Sequence, residues 1–397
     1  MAVRNTADAL PNRQMRIALV HDWLTGMRGG EKVLAAIAEL FPQADIFTLV
    51  HVRGSCPQLV KGRRVITSML DDLPGVGHYY RHLLPAMPLA IERLDLGGYD
   101  LIISSSHCVA KGVCRDAGAL HICYCHTPMR YIWAQNSAYA SRMSRLNAIA
   151  MAFFRRYLQA WDLRSAGHVD LYLANSHNVA RRIERIYGFA SRVVWPPIDT
   201  EYFTPDGEAR EDFYLVMSAL APYKCVDHAV AAFSRLNLPL RVIGSGQMLH
   251  KLRRLAPRNV QFLGWQSDEV VREHYRRCKA LVFPGEEDFG MVPVETMACG
   301  APVIAYKAGG ALETVIDVGT PDARGPTGLL YEPHTIEAMV DAVRRFENMS
   351  QEFSQEKLAA WARNFGKQQF RRRFLTAIDP ELRKKGMRPP CLSATDN

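Results

Sequence analysis

The sequence predicts an α/β protein made of two doubly wound parallel-sheet domains, and three observations carry that expectation. Short apolar runs alternate with helical stretches along most of the chain. A proline-rich break, WPPIDTEYFTP (Trp195–Pro205), interrupts the alternation near its middle, after which it restarts. Glycine-bearing turns repeatedly follow an apolar run and precede a helix, the unit that cradles phosphate groups at the carboxyl ends of parallel strands. At 397 residues the chain also exceeds the size at which one core stops growing, so two domains of about 150–200 residues are expected.

Taken in order, the first domain opens with MRIALVH (Met15–His21), a buried-strand run, followed by DWLTGMRGGEKV and an amphipathic helix from about Glu31 to Leu40. Further strands are expected at Asp45–Val50, Leu101–Ser104, Leu120–Tyr124 and Asp170–Ala174, with a helix over Ser176–Tyr187. After the break, strands are expected at Phe213–Ser218, Leu240–Gly244, Val260–Leu263, Ala280–Phe283 and Val303–Tyr306. Helices at Val226–Leu236, Met248–Leu255 and Asp268–Arg277 separate them. The domain boundaries read 15–198 and 199–365, with the ends, 1–14 and 387–397, expected to be disordered.

Composition narrows the function classes. No segment offers the roughly 18 or more uncharged apolar residues of a spanning helix, and Met1–Met15 lacks the apolar core of a secretory signal, so a cytoplasmic chain is expected. Nine cysteines, an odd number mostly within apolar runs, point to reduced thiols rather than a disulfide framework. Cys123, Cys125 and His126 in HICYCH do not read as a zinc site, because strand alternation puts both thiols on one face and no second ligand pair completes a set. The net charge of +9 implies an anionic partner, and no nucleic-acid-binding pattern accompanies it. Basic residues concentrate in Ser141–Ser165, where Arg142, Arg145, Arg155, Arg156 and Arg164 alternate with Leu146, Ile149, Met151, Phe153, Phe154, Leu158 and Trp161. That pattern fits either a solvated face over a core stripe or a basic amphipathic surface that docks on anionic lipid.

The block that carries chemistry is FPGEEDFGMVPVETMACGAPVIAYKAGG (Phe283–Gly310). Glu287 falls in a loop between Gly285 and Gly290. Glu295 follows Pro293, which suits the opening turn of a helix whose unclaimed N–H groups attract anions. Gly300 suits the end of that helix, and Val303–Tyr306 runs into Gly309 and Gly310. The E-x7-E spacing in the context EDFG…ETMACGAPVIA resembles the donor-binding signature of glycosyltransferase family 4. RVIGSGQ (Arg241–Gln247), NVQFLGWQSDEVVREHYRRCKALVFPG and PPIDTEYFTP resemble further segments of that family in the same order, so the likeness spans roughly Met15–Ile378.

The resemblance implies a GT-B architecture, two Rossmann-like domains facing across a cleft, with a last helix, Gly366–Ile378, returning to the first domain. It implies a retaining transferase that uses a nucleotide sugar and no metal, with a donor phosphate oxygen taking the acceptor proton. By the same likeness Lys224 in SALAPYK holds the donor diphosphate, Glu287 lies by the donor sugar, and Glu295 accepts hydrogen bonds from the ribose. Phe289, Gly290 and Met291 contact sugar or phosphate through backbone N–H groups, and Gly244, Gly246 and Gly264 shape the nucleotide side. From the first domain, His126 orients the sugar, while Gly29 and Gly30 form a loop that approaches phosphate or acceptor. In the family pattern an arginine separated from the lysine by four residues shares the diphosphate; here that position holds Ala219, and Arg28 is the candidate to supply the charge. HTPMRYIW and SALAPYK are similar to mannosyltransferases of surface-polysaccharide pathways, which favours GDP-mannose as donor and a lipid-linked glycan as acceptor on the inner face of the membrane. An epimerase or phosphorylase on the same architecture is the enzyme alternative, and Ala219 motivates a second one, a partner that binds sugar nucleotide without turnover.

Overall fold

The computed structural model describes residues 15–133, 145–388 and 390. Most of the two ends expected to be disordered therefore lies outside the described residues, as does Arg142. The side chains of Arg145, Leu146, Ile149 and Met151 lie outside them too.

Two parallel sheets organise the chain. The first contains β1 (Ile17–His21), β2 (Asp45–Thr48), β3 (Val65–Thr67), β4 (Leu101–Ser106), β5 (Leu120–Cys125), β6 (Leu171–Ala174) and β7 (Ser191–Val193), in the order β3-β2-β1-β4-β5-β6-β7. The second contains β8 (Tyr214–Met217), β9 (Leu240–Ile243), β10 (Val260–Gly264), β11 (Ala280–Phe283), β12 (Val303–Tyr306) and β13 (Gly328–Tyr331), in the order β10-β9-β8-β11-β12-β13. In each sheet the order runs outward, returns to the centre and runs outward on the other side. The reversal falls between β1 and β4 in the first and between β8 and β11 in the second. Crevices at such switch points, outside the carboxyl ends of the strands, are where α/β folds bind ligands.

The strands form because their residues can be buried on both faces. β1 (IALVH) is wholly buried, as are Ile102 and Ile103 of β4, Leu215 and Val216 of β8, and Leu281 and Val282 of β11. Helices cover the faces with apolar residues at helical spacing. Val226–Leu236 buries Val226, Ala229, Val230, Ala232 and Phe233, and it ends where Asn237 adopts the left-handed conformation (φ +54°). The helix following the acidic loop, Met291–Ala298, starts at Gly290 and stops at Cys299, with Gly300 left-handed just beyond (φ +86°).

Contact density divides the chain into two units. One holds the residues up to Tyr172 and resumes at Ile378; the other is Leu173–Ala377. The second division falls inside the terminal helix, Lys367–Lys384, which is longer than the expected Gly366–Ile378. One expectation at the front of the chain needs correcting. The first helix begins at Gly29, so Gly29 and Gly30 are its opening residues rather than part of a loop. The early start is held by Glu31, whose Oε2 accepts from the Arg28 backbone N–H at 3.2 Å.

Candidate functional site

At the switch point of the second sheet, the loops after β8 and β11 are pressed together at their backbones. A Cβ on Gly285 would lie 3.0 Å from the Lys224 carbonyl oxygen and 3.1 Å from its Cα, so glycine permits the approach. The consequence is an ion pair between the Lys224 ammonium and the Glu287 carboxylate, both mostly buried. Tyr223 adds an aromatic face 5.1 Å from the ammonium. The acidic loop is fixed from its other side by Gly310, whose N–H donates to the Glu287 carbonyl at 2.8 Å. A Cβ on Gly310 would lie 2.1 Å from the Phe289 carbonyl oxygen, so this approach too excludes a side chain.

Glu287 is flanked by two further carboxylates, Glu286 and Asp288, and both are ion-paired to Arg182, the Glu286 pair at 3.0 Å. Glu287, between them, pairs with Lys224. Glu295 lies one turn into the next helix, buried, with its Oε2 accepting from the Tyr275 hydroxyl at 3.3 Å. Burial, reinforced by the Glu295 charge, keeps the Tyr275 phenol protonated by raising its pKa far above the usual range. Phe289 is buried, and Met291 is the first residue of the helix, where N–H groups have no earlier carbonyl to bond. On the β9 side, Gly244 and Gly246 cross the loop after β8 so closely that added Cβ atoms would lie 1.8 Å from the Ser218 oxygen and 2.5 Å from the Leu220 oxygen. The Gly244 N–H donates to the Gly264 carbonyl at 2.7 Å, and the indole of the next residue, Trp265, is 77% exposed. Ala219 lies in the loop after β8, and its side chain carries no charge.

The switch point of the first sheet holds a cluster that the sequence reading did not single out beyond His126. Asp22 follows β1 directly and is completely buried. Its carboxylate accepts four backbone N–H groups from the loop after β4: His107 at 2.8 Å, Cys108 at 3.0 Å, Val109 at 2.6 Å and Ala110 at 2.8 Å. The His107 Nδ1 lies 3.0 Å from Asp22 Oδ2. Burial alone would raise the Asp22 pKa, but the His107 charge and these donors outweigh it and hold the carboxyl well below the usual range. Burial works against His107 in the same way, and Asp22 wins again, leaving the imidazole pKa raised.

Three imidazoles converge here, with ring centroids 5.9 Å apart for His21 and His107, 6.4 Å for His21 and His126, and 6.2 Å for His107 and His126. Gly30 packs over the first and third. Its Cβ would lie 3.7 Å from His21 Nε2 and 3.8 Å from His126 Nε2. Burial, together with the neighbouring His107, lowers the pKa of His21 to about 4 and that of His126 well below its ordinary value, so both rings are neutral near neutrality. Among the described residues, no group of three or more His, Cys, Asp or Glu side chains is arranged to hold a metal ion. The signal that would have found His21, Asp22, Ser105 and His107 is positional, since VHDW and SSSHC both end strands at a reversal of strand order. Arg28, by contrast, lies exposed at the start of its helix.

Comparisons with known proteins agree with this architecture. The model for "Glycosyltransferase Family 4" matches residues 27–202, and that for "Glycosyl transferases group 1" matches residues 200–368. An uncharacterized glycosyltransferase of Methanocaldococcus jannaschii is 34% identical over 145 residues, 35% of this chain and 39% of that protein. A GDP-mannose-dependent alpha-(1-6)-phosphatidylinositol monomannoside mannosyltransferase of Mycolicibacterium smegmatis is 28% identical over 177 residues, 37% of this chain and 44% of that protein. The matches thus span less than half the length of these relatives. Among solved structures, Anabaena HepE in complex with UDP superposes with a TM-score of 0.66 at 17% identity, over 92% of this chain and 100% of that one. Sucrose-phosphate synthase of Thermosynechococcus elongatus does so with a TM-score of 0.68 at 18% identity, over 94% of this chain and 100% of that one. With two adjoining family models covering residues 27–202 and 200–368 and two doubly wound parallel sheets, the chain belongs to glycosyltransferase family 4, with the GT-B fold.

Proposed function

We propose that the protein transfers a sugar, with mannose from GDP-mannose favoured, with retention of configuration, to a lipid-linked glycan acceptor in cell-surface polysaccharide synthesis. The observation that carries this reading is the Lys224–Glu287 pair at the β8/β11 switch point, held by glycines on both sides. Breaking the bond to a nucleoside diphosphate places negative charge on the leaving phosphate, and a lysine beside helix-start N–H groups is the arrangement that stabilises it. In this reading Lys224 turns to the diphosphate when donor binds, Glu287 passes to the sugar hydroxyls, Glu295 takes the ribose, and His126 orients the sugar. The GDP-mannose preference draws on the mycobacterial relative named above. HepE was solved with UDP, so the experiment compares guanosine, uridine and adenosine sugar nucleotides.

A membrane surface is part of the proposal. The helix Arg145–Ala166 buries Leu158 and Trp161 but leaves Phe153 70% exposed and Phe154, Tyr157 and Leu163 more than a third exposed, beside exposed Arg156 and Arg164. The core-stripe reading of that segment therefore holds for Leu158 and Trp161 and fails for both phenylalanines. No helix among the described residues is long and apolar enough to cross a membrane.

The test is thermal unfolding of the full chain with GDP, UDP and ADP sugars, because a ligand that binds only the folded state raises its stability by mass action. GDP-mannose should give the largest shift. Glu295→Ala should lose roughly 1–3 kcal/mol of donor affinity, the cost of leaving buried polar partners unpaired. No response to any sugar nucleotide, or a Glu295→Ala shift equal to wild type, would sink the donor-site assignment.

A further inference from the structure

The loop after β11 carries three consecutive carboxylates, and they divide between two partners. The outer two, Glu286 and Asp288, both accept from Arg182 on the helix His177–Tyr187, with Nη2 3.0 Å from Glu286 Oε1 and Nη1 on Asp288 Oδ1. The middle one, Glu287, is left to Lys224. The helix that carries Arg182 is tied at a second point to the turn backing this loop. Its first two N–H groups, those of His177 and Asn178, donate to the two carboxylate oxygens of Glu313 at 2.9 and 3.0 Å. The Trp195 indole N–H donates to the same carboxylate at 3.1 Å, and the helix N-terminus favours a negative charge there. Glu313 follows shortly after Gly310, whose N–H holds the Glu287 carbonyl. The guanidinium therefore reaches the loop from an anchored helix. Its planar fork can hold two carboxylates in a fixed relation, which a lysine cannot do, and it offsets two of three adjacent negative charges that would otherwise repel one another.

We propose that Arg182 is a positioning residue for sugar transfer: by bridging Glu286 and Asp288 it fixes the acidic loop so that Glu287 is presented to the donor sugar, and it does so without touching the donor itself. The sequence window around the acidic block does not contain it, because Arg182 precedes Glu286 by about a hundred residues. This inference rests on the transferase reading for its consequence, but the bridge is a property of the protein without substrate.

A mutant cycle in the full chain separates the two. Arg182→Gln is made in the native background and in one carrying Glu286→Gln and Asp288→Asn, where the guanidinium has no carboxylate left to hold; residues that act through one another then show non-additive effects. In the native background Arg182→Gln should lower the thermal unfolding midpoint by about 2 °C or more beyond its effect in the neutralised one. Well below either midpoint it should lower kcat by roughly tenfold or more, in line with the cost of small misplacements of reacting groups. Donor KM and the affinity for the free nucleoside diphosphate, GDP or UDP, measured by calorimetry, should change by less than about twofold, because the lost contact is not one to the donor. In the neutralised background the same substitution should leave kcat within about twofold. Arg182→Lys keeps the charge and loses the fork, so kcat should stay low. An undiminished kcat, a kcat loss equally large in the neutralised background, additive unfolding midpoints, or full recovery in Arg182→Lys would overturn the proposal. So would a loss confined to donor KM and nucleoside diphosphate affinity, which would make Arg182 a ligand of the diphosphate. Non-additive midpoints in a chain that transfers sugar from no nucleotide would instead sink the functional reading alone.

Discussion

Lys224 and Glu287 form a mostly buried ion pair, and in the proposed function the ammonium turns from this carboxylate to the donor diphosphate. Replacing Lys224 by Ala should reduce turnover by about 100-fold or more, the scale seen when a group stabilising transition-state charge is removed, with donor binding affected less. The assay should be run with EDTA present, since transfer is proposed to proceed without a divalent metal. Activity restored only by magnesium or manganese, or an undiminished Lys224→Ala enzyme, would remove the lysine from its role. The first-sheet cluster gives a prediction in pH. His107 has a folded-state pKa raised by Asp22, so its contribution to stability is full below its unfolded value of about 6.5 and is lost as pH rises through the folded one. Asp22 has its pKa lowered, so its contribution is present above its unfolded value of about 4 and is lost as pH falls through the folded one. The stability difference between wild type and His107→Gln should therefore be largest between about pH 4 and pH 6.5 and should shrink above that range. A difference that grows from pH 7 to pH 9 would contradict the ion-pair assignment. These residues also show how legibility depends on sequence distance. Lys224 and the Glu287 block could be read locally, each within a short window after an apolar run. Asp22 finds its donors 85 to 88 residues away, and only the register of β1 on β4 brings them together.

At the level of elements, the central strands were legible because burial on both faces demands continuous apolar runs, and of the strands that end the two orders only β10, with its run VQFL, was read. Ala280–Phe283 and Val303–Tyr306 were predicted to the residue. The strands that escaped are β3 (VIT), β7 (SRV) and β13 (GLLY), which end the two strand orders and are short; the first two are only half-buried. The helix Ile336–Met349 also escaped, although Thr335 caps it by accepting from the Ala338 N–H at 3.2 Å. Glycines in the acidic block serve two different physical needs, and mutation should tell them apart. Gly290 has φ +82°, where a non-glycine residue pays about 1–2 kcal/mol, while its nearest neighbour is the movable ring edge of Phe283 at 3.3 Å. Gly310 has an ordinary helical φ of −69°, so its requirement is steric, with the Phe289 backbone 2.1 Å from where a Cβ would be. Gly310→Ala should destabilise by about 3 kcal/mol or more in urea unfolding, at or above the upper end for forcing atoms into packed space, and more than Gly290→Ala. Equal or reversed costs would show that conformation rather than backbone approach governs this loop.

For the molecule as a whole, the two sheets repeat one plan: a carboxylate and a basic side chain meet at the carboxyl end of the central strand pair, Asp22 with His107 in one and Glu287 with Lys224 in the other. The surface chemistry of the first unit then bears on where the protein works. On Arg145–Ala166, Arg155 donates to the Ile132 carbonyl at 2.8 Å, and Arg164 lies 3.6 Å from Glu92, so part of the basic character noted in the sequence supports the fold. What faces solvent is an aromatic pair, Phe153 and Phe154, next to Arg156. Burying one exposed phenylalanine in a lipid interface is worth about 1.5–3 kcal/mol, against about 1 kcal/mol for an arginine near an anionic surface, and salt screens only the second. Binding to phosphatidylglycerol vesicles should therefore fall as salt rises but not vanish, and the residual part should disappear in a Phe153→Ser, Phe154→Ser double variant. Phosphatidylcholine vesicles should bind more weakly at low salt and converge with the anionic ones at high salt. Equal partitioning to both lipids at low salt, or none to either, would assign these aromatics to something other than a membrane.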